Sequence, residues 1–142
     1  MIQIENDPWA AMVAHARASY PNECCGAMLG STDGETKTVR EAIALQNAFE
    51  GAQAARYELR PEDLLAADKA ARERNMDLIG IYHSHPFNRA YPSATDLAQA
   101  WEGLVYVIVS LRDFLRPTVK AFTVADGEIG EQPIEIVDAA SA

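Results

Sequence analysis

Three residues with metal-binding side chains lie within a short segment near the middle of the chain. His83 and His85 are two positions apart at the end of an apolar run, and Asp96 follows after a loop that begins at Pro86. Because successive side chains of a strand alternate between its faces, the two imidazoles would share a face and could share one ion. Two histidines and one carboxylate leave a fourth position open, which is the pattern of a catalytic zinc site. Zinc there would lower the pKa of a bound water toward about 7 and produce a nucleophile.

Each of these residues also has an ordinary structural interpretation. A single histidine is more often a structural or surface residue than a ligand, and His15, inside a predicted helix, is interpreted that way. Ser93 and Asp96 form Ser-x-x-Asp, close to a capping box in which the Asp side chain bonds back to the N-cap. Taken alone, that pair favours capping, because capping is so common. The two roles of Asp96 are compatible, since a carboxylate has two oxygens.

The elements that must position these side chains begin with three predicted helices. Start signals and apolar spacing predict helices over residues 8–19, 61–74 and 93–101. Asp7 is the expected N-cap of the first helix, and Ser93 that of the third. Leu64 and Leu65 belong to the predicted inward face of the second helix. Asp96 would lie in the first turn of the third helix, where the helix dipole favours a negative charge.

Strands are predicted between and after these helices. Two nearly continuous apolar runs, residues 78–82 and 104–111, predict central strands that are covered on both faces. Further strands are predicted at residues 25–29, 36–45, 57–59, 118–124 and 134–137. Helices at both ends of a mixed strand set favour an α+β fold with one central sheet. We expect a single domain over residues 1–137 and a frayed tail over residues 138–142.

Composition narrows the class of protein. The 142 residues carry a formal net charge of −9, from 21 acidic and 12 basic side chains, which disfavours nucleic-acid binding. No apolar run approaches the ~20 residues of a membrane span, and the N-terminus lacks the pattern of a secretory signal. The adjacent Cys24 and Cys25 are expected to be free, buried thiols in a reducing compartment. We therefore expect a cytoplasmic protein with no nucleic-acid partner and no membrane partner.

Together with one upstream glutamate, the same residues resemble the signature of the JAMM metalloisopeptidases, also called the JAB or MPN-plus domain family. That signature is a Glu, then His-x-His-Pro, six residues, and Ser-x-x-Asp. The chain has Glu23, His83-Ser84-His85-Pro86, the six residues 87–92, and Ser93-Ala94-Thr95-Asp96. Segments at residues 12–17, 20–26 and 107–113 resemble the small prokaryotic branch, which includes the peptidase acting on the sulfur carrier CysO.

The resemblance implies a cytidine-deaminase-like mixed sheet flanked by helices. It implies that His83, His85 and Asp96 bind zinc, that Glu23 is the general acid/base for the metal-activated water, and that Ser93 stabilises the oxyanion. Nothing in the local sequence singles out Glu23. The implied substrate is the Gly-Gly tail of a ubiquitin-like sulfur-carrier protein, because glycine suits a narrow channel. The identity of the carrier, the leaving group, the choice between peptide and isopeptide bond, and the oligomeric state stay open.

Two functions of other classes compete with this hypothesis. A non-catalytic MPN scaffold would only bind partner proteins, but such domains usually lack some of the ligands, and none is missing from this sequence. A zinc nucleobase deaminase would need His-x-Glu and a later Pro-Cys-x-x-Cys. The chain has His-x-His and no Cys-x-x-Cys, so the ligand types exclude the deaminase.

Overall fold

The computed structural model of the protein describes residues 1–139. Its elements, in chain order, are β1 (Ile2–Glu5), α1 (Asn6–Ser19), β2 (Cys25–Asp33), β3 (Thr36–Leu45), α2 (Pro61–Glu73), β4 (Asp77–His85), α3 (Ala94–Gln99), β5 (Val105–Ser110), β6 (Thr118–Ala125), β7 (Glu128–Gln132) and β8 (Ile134–Val137). Within the described residues, no helix is both long enough and apolar enough to cross a membrane. Of the predicted frayed tail, Asp138 accepts a hydrogen bond from the Asn6 side chain, and residues 140–142 lie outside the described residues.

The strands form one mixed sheet in the order β7-β6-β5-β4-β2-β3-β1-β8. β4 lies inside the sheet, antiparallel to β2 and parallel to β5. Its residues from Ile79 to His85 are all buried, as expected for a strand with neighbours on both edges and cover on both faces. The predicted α+β class and the central position of the two apolar runs are therefore confirmed.

Helices cover opposite faces of β4. Tyr82 belongs to the same buried cluster as Met12 of α1, whereas the preceding residue, Ile81, packs in a second cluster with Leu64 of α2. Neighbouring side chains of a strand point to opposite faces, so α1 and α2 lie on opposite sides of the sheet. By the same alternation, the two histidines at the end of β4 lie on the α2 side, and the serine between them lies on the α1 side.

Two glycines allow the central strands to approach closely. A Cβ atom on Gly26 of β2 would lie 2.2 Å from a ring carbon of Tyr82. A Cβ atom on Gly80 of β4 would lie 1.8 Å from the carbonyl oxygen of Val105 on β5. Larger residues at either position would push β4 away from a neighbour, so these glycines help to set the spacing of the strands beneath the candidate site.

Some predictions of strands were wrong. Residues 57–59 form no strand; they are extended loop, and the apolar character of the segment reflects the burial of Tyr57. β1 and β7 were not predicted. β1 pairs in parallel with β3 and with β8, both of which are distant in sequence, so no local pattern marks it.

The helices also differ in detail from their predictions. α1 begins at Asn6, and Glu5 occupies the N-cap position without a side-chain hydrogen bond, so Asp7 lies in the first turn instead. This shift follows from β1, which continues directly into the helix. Leu65 is 70% exposed rather than inward, because the buried face of α2 is formed by Ala67 and Ala71.

Candidate metal centre

The two histidines are the last residues of β4 on the α2 side of the sheet. The strand extends beyond its predicted end at residue 82, so the sheet itself holds both imidazoles, whose Nε2 atoms lie 3.2 Å apart. Nδ1 of His85 lies 2.9 Å from the carbonyl oxygen of Arg89. Because a carbonyl oxygen only accepts, Nδ1 carries the proton, and in the neutral ring Nε2 presents its lone pair. This is the outer hydrogen bond that orients metal-binding histidines.

Asp96 reaches the same point from the first turn of α3. Its Oδ2 lies 3.2 Å from Nε2 of His83 and 3.1 Å from Nε2 of His85. The same oxygen accepts a 2.9 Å hydrogen bond from the backbone N–H of Ser93, and Ser93 Oγ accepts a 3.1 Å bond from the N–H of Asp96. The capping box and the contact with the imidazoles therefore coexist, but through one carboxylate oxygen rather than two.

Glu23 completes the group from the turn between α1 and β2. One potential ligand atom from each of Glu23, His83, His85 and Asp96 lies within 4.8 Å of the others. Glu23 Oε1 is buried, and the described residues provide it with no hydrogen-bond partner. Burial raises the pKa of Glu23 to about 7; Asp96 also raises it, and His85 opposes the change. A carboxyl group with a pKa near neutrality can both take up and release a proton at neutral pH.

Ser84, between the two histidines, fastens the chain next to Glu23. Its Oγ accepts a 2.8 Å hydrogen bond from the N–H of Cys24, and its own N–H donates to the carbonyl oxygen of Cys24 at 3.1 Å. The alternation of the strand points this side chain away from the imidazoles and toward the α1 side. Ser84 thus connects the backbone next to Glu23 to β4, the strand that carries both histidines.

Asn47, in the loop before α2, supports Glu23 from the other side. Its Nδ2 donates to the carbonyl oxygens of Glu23 and Arg56, each at 3.1 Å, and the N–H of Glu23 donates to Gln53 O at 2.8 Å. The same loop brings Tyr57 onto the ring of His83, with ring centroids 4.4 Å apart and planes 27° apart. The loop that was predicted to contain a short strand instead packs around the candidate site.

The spacing of the three ligand atoms fits a metal ion. Nε2 of His83, Nε2 of His85 and Oδ2 of Asp96 form a triangle with sides of 3.1 to 3.2 Å. In a tetrahedral zinc site with bonds of about 2.0–2.1 Å, neighbouring ligand atoms lie about 3.3 Å apart. The observed triangle could therefore hold a zinc ion after shifts of a few tenths of an ångström or less.

The charges of the group also favour a cation. In its neutral form, His85 directs a lone pair at the Asp96 carboxylate, and two acceptors in contact repel unless a proton or a metal ion lies between them. Without a metal, hydrogen bonds to Asp96 and to Arg89 O outweigh burial and raise the pKa of His85, whereas burial lowers that of His83. Although burial opposes it, hydrogen bonding with both histidines lowers the pKa of Asp96. The group thus attracts positive charge, and its donor types suit a divalent metal ion.

Two grooves lie beside this group and differ in character. The first, which we name the apolar groove, has a volume of about 250 Å³ and is lined mainly by Tyr57, Leu59, Leu64, Ile81, Trp101 and Tyr106. The second, which we name the arginine groove, has a volume of about 530 Å³ and runs from His85 and Ser93 past Phe87, Arg89, Tyr91 and Arg112. The arginine groove includes His85 and Ser93 of the candidate site, and the apolar groove adjoins it through Tyr57, which stacks on His83.

The structure brings together all five residues proposed from the sequence: Glu23, His83, His85, Ser93 and Asp96. His15 lies apart on α1, where Nδ1 is 2.8 Å from the hydroxyl of Tyr82, consistent with a structural role. Cys24 and Cys25 are buried free thiols, as predicted. Ser84 and Asn47 were not predicted as site residues, because neither residue has a local signal that identifies its distant partner.

Comparisons with known proteins agree with this geometry. The family described as prokaryotic homologs of the JAB domain matches residues 6–124 of the chain. The CysO-cysteine peptidase of Mycobacterium tuberculosis is 34% identical over 139 residues, which cover 97% of this chain and 92% of that protein. A desampylase of Haloferax volcanii is 35% identical over 114 residues, covering 77% of this chain and 80% of the relative.

Solved structures show the same architecture. A protein from Desulfitobacterium hafniense, determined in solution, has a TM-score of 0.88 and 31% identity, with 98% of this chain and 94% of that one covered. A JAB1/MPN domain protein from Archaeoglobus fulgidus has a TM-score of 0.62 over 97% of this chain and 98% of its own. At 19% identity, the second likeness concerns the fold alone.

Proposed function

The chain belongs to the prokaryotic homologs of the JAB domain, and on this premise we propose that it is a zinc-dependent peptidase acting at the C-terminal tail of a ubiquitin-like sulfur-carrier protein. The observation that carries the proposal is the buried group of Glu23, His83, His85 and Asp96, with ligand atoms within 4.8 Å of one another. Two imidazoles and a carboxylate are the ligand types of catalytic zinc sites, and a nearby carboxyl group of raised pKa can serve as their acid/base.

In the proposed reaction, His83, His85 and Asp96 hold the metal, and Glu23 moves protons. Zinc held by these residues would supply Lewis acidity for the carbonyl group and for water. Glu23 accepts a proton from the attacking water and later donates it to the leaving amine. Its pKa of about 7, raised by burial, suits both steps because the carboxyl group can exchange its proton near neutral pH.

Ser93 is positioned to act on the developing oxyanion. Its Oγ already accepts a hydrogen bond from the N–H of Asp96, so the hydroxyl proton is free to point elsewhere. Ser93 is exposed and borders the arginine groove, so a substrate can reach its hydroxyl. A preorganised donor of this kind stabilises the charge that forms on the carbonyl oxygen during attack.

The proposed substrate class draws on the names of the relatives. One is named for the cleavage of CysO-cysteine, another is a desampylase, and a third is a probable TtuB-protein conjugate cleaving protease of Thermus thermophilus. A diglycine tail would meet few steric limits beside the metal, because it has no side chains. The free, buried thiols of Cys24 and Cys25 support a reducing location, and we propose the cytoplasm.

A direct test combines metal analysis with mass spectrometry. The purified protein should contain about one zinc per chain. It should remove cysteine from a sulfur carrier that ends in Gly-Gly-Cys, and mass spectrometry would detect the shortened carrier. Glu23→Gln should keep its zinc while kcat falls by about 10²–10⁴-fold, because the metal site is intact and the proton carrier is lost.

A control variant tests whether the loss of activity is specific to Glu23 or follows from the removal of any negative charge. Glu135→Gln, on the edge strand β8 and outside both the buried group and the two grooves, removes one negative charge and should leave kcat unchanged. Full activity in Glu23→Gln would refute the proposed mechanism. A zinc-loaded wild-type protein that cleaves neither carrier–cysteine nor carrier–lysine linkages would refute the proposed function and favour a scaffold.

A further inference from the structure

The arginine groove contains two positively charged side chains and no acidic one among its lining residues, in a chain whose net charge is −9. Arg89 and Arg112 line it together with Phe87 and Tyr91. The guanidinium carbon of Arg89 lies 5.0 Å from the ring centroid of Tyr91, a contact that helps to fix the side chain. Positive charge is thus concentrated beside the metal centre of an otherwise acidic protein.

The backbones of both arginines are fastened to the strand that carries the metal ligands. The carbonyl oxygen of Arg89 accepts the hydrogen bond from His85 Nδ1, and the N–H of Leu111 donates to His85 O at 2.9 Å. Ser110 Oγ donates to Asn88 O and accepts a 3.2 Å bond from the N–H of Arg112. Hydrogen bonds therefore connect the backbone around both arginines to the end of β4, where His85 lies.

Neither guanidinium group is neutralised by the protein. Among the described residues, no carboxylate lies within ion-pair distance of Arg89 or Arg112, a property that they share with several other arginines; what distinguishes them is that both line one groove with His85 and Ser93. Asp113, which follows Arg112, uses Oδ1 to accept the N–H of Leu115 at 3.2 Å. Each unpaired guanidinium group presents a planar fork of donors of the kind that binds carboxylates.

We propose that the arginine groove binds the free α-carboxylate of a single amino acid that is released from the C-terminus of the carrier. The inference rests on the proposed function and specifies its leaving group. Water adds across the amide bond, the C–N bond breaks, glycine becomes the new C-terminal carboxylate, and the departing amino acid takes up a proton on its amine. The chain would therefore act on a peptide bond to a terminal residue.

Distance favours an α-carboxylate over a more distant acidic group. In a one-residue leaving group, the carboxylate lies within about 3.5 Å of the scissile nitrogen, the length of one residue. The groove is lined by His85 and Ser93 as well as by both arginines, so a carboxylate held next to His85 and Ser93 would share one groove with the two guanidinium groups. A lysine side chain of a conjugated protein would place an uncharged alkyl chain here and leave both guanidinium groups without a partner.

The test compares two substrates that differ by one charge. A sulfur carrier that ends in Gly-Gly-Ala is prepared with a free C-terminus and, by semisynthesis, with a C-terminal amide. For the zinc-loaded wild-type protein, kcat/KM should be about 10- to 100-fold higher for the acid, the range expected for hydrogen bonds to a charged group. A third substrate, Gly-Gly-Ala-Glu amide, carries its charge one residue further away and should resemble the simple amide.

Variants test whether the two arginines of the groove cause the preference for the acid over the amide. Arg89→Gln with Arg112→Gln should lower kcat/KM for the acid and reduce the acid-to-amide ratio to about one. Lys69→Gln with Arg72→Gln removes the same charge from the exposed face of α2 and should keep the wild-type ratio. An unchanged ratio in the groove variant, or equal loss in the α2 variant, would overturn the proposal.

A binding measurement separates this proposal from the proposed function. Glu23→Gln protein is titrated with the peptide Gly-Gly-Ala as acid and as amide, with zinc present, and the affinities are compared by calorimetry. Tighter binding of the acid, lost in the groove variant, supports the carboxylate site even if no substrate is cleaved. Equal affinities, or efficient cleavage of Gly-Gly-Ala-Glu amide, overturn it while leaving the peptidase function standing.

Discussion

The ligand segment, residues 83–96, and the Glu23 turn, residues 20–24, meet at the candidate metal centre but hold their side chains in different ways. In the ligand segment, hydrogen bonds within the segment orient His85 and Asp96. Nδ1 of His83 has no hydrogen-bond partner among the described residues, and its ring is stacked on Tyr57. The carboxylate of Glu23 has an unpartnered Oε1 among the described residues, and only its backbone is fastened. Two of the three ligand side chains are thus oriented by hydrogen bonds within their own segment, whereas no such bond orients the Glu23 carboxylate.

This difference suits the proposed division of tasks. A metal ligand needs a fixed direction, which outer hydrogen bonds provide. A proton carrier must exchange hydrogen-bond partners during the reaction, so a fully satisfied carboxylate would be a poor one. Burial without a hydrogen-bond partner disfavours the charged form of the Glu23 carboxylate. The raised pKa of Glu23 is the consequence of this unfavourable burial.

The largest effect should follow from removing one metal ligand. His85→Ala deletes one corner of the ligand triangle and should reduce zinc from about one per chain to near zero, with hydrolysis at background. Metal content by mass spectrometry and kcat/KM would be measured on the same sample. His15→Ala, which removes a histidine outside the group, is the matched control and should retain zinc. Normal zinc content in His85→Ala would mean that the ligand segment is not the metal site.

A smaller effect is expected at Ser93, where the ligand segment also contacts substrate. Ser93→Ala should lower kcat by about 10²–10³-fold through loss of an oxyanion donor. It should also cost about 1 kcal/mol of stability through loss of the helix cap. Ser93→Thr keeps the hydroxyl and should restore most of both quantities, measured by kinetics and urea unfolding. A loss of stability with unchanged kcat would limit Ser93 to capping.

Substitution of Ser84 tests whether the ligand segment and the Glu23 turn are coupled through the backbone. Ser84→Ala leaves the buried N–H of Cys24 without its acceptor, which should cost about 1–3 kcal/mol of stability. Because Glu23 is the next residue, we expect a fall in kcat of about tenfold, with KM and zinc content unchanged. Ser84→Thr, which retains the hydroxyl, should recover kcat. If Ser84→Ala loses stability but keeps its kcat, the hydrogen bond between Ser84 and Cys24 serves only the fold.

The smallest effect concerns the stability of the metal-free protein. The pKa of Glu23 is raised from 4.5 to about 7, so its protonated form stabilises the fold fully below pH 4.5, and this contribution is lost as pH rises through 7. Metal-free Glu23→Gln should therefore match the wild type near pH 4 and exceed it above pH 7. After allowance for solvent screening, we expect a gain of about 1–2 kcal/mol at pH 8 in urea unfolding. A pH-independent difference would contradict the raised pKa.

The local sequence predicted how the ligand segment places its side chains, because that geometry is local, although the ligand role of Asp96 was predicted only with the family resemblance. A period of two puts His83 and His85 on one face, and Ser-x-x-Asp fixes the start of α3, so the residue types and spacing contain most of the site. The two apolar runs likewise predicted β4 and β5, since burial on both faces requires continuous apolar residues. These features depend on neighbours a few residues apart.

The tertiary structure decided what depends on distant partners. From the sequence, Glu23 was predicted only by family resemblance. In the structure, the pairing of β2 with β4 and the hydrogen bond between Ser84 and Cys24 bring Glu23 close to the histidines. The arginine groove likewise arises only when the loop after β5 is fastened beside β4. Strand pairing is set by packing over the whole sheet, so no residue near position 23 or 112 indicates its partner in advance.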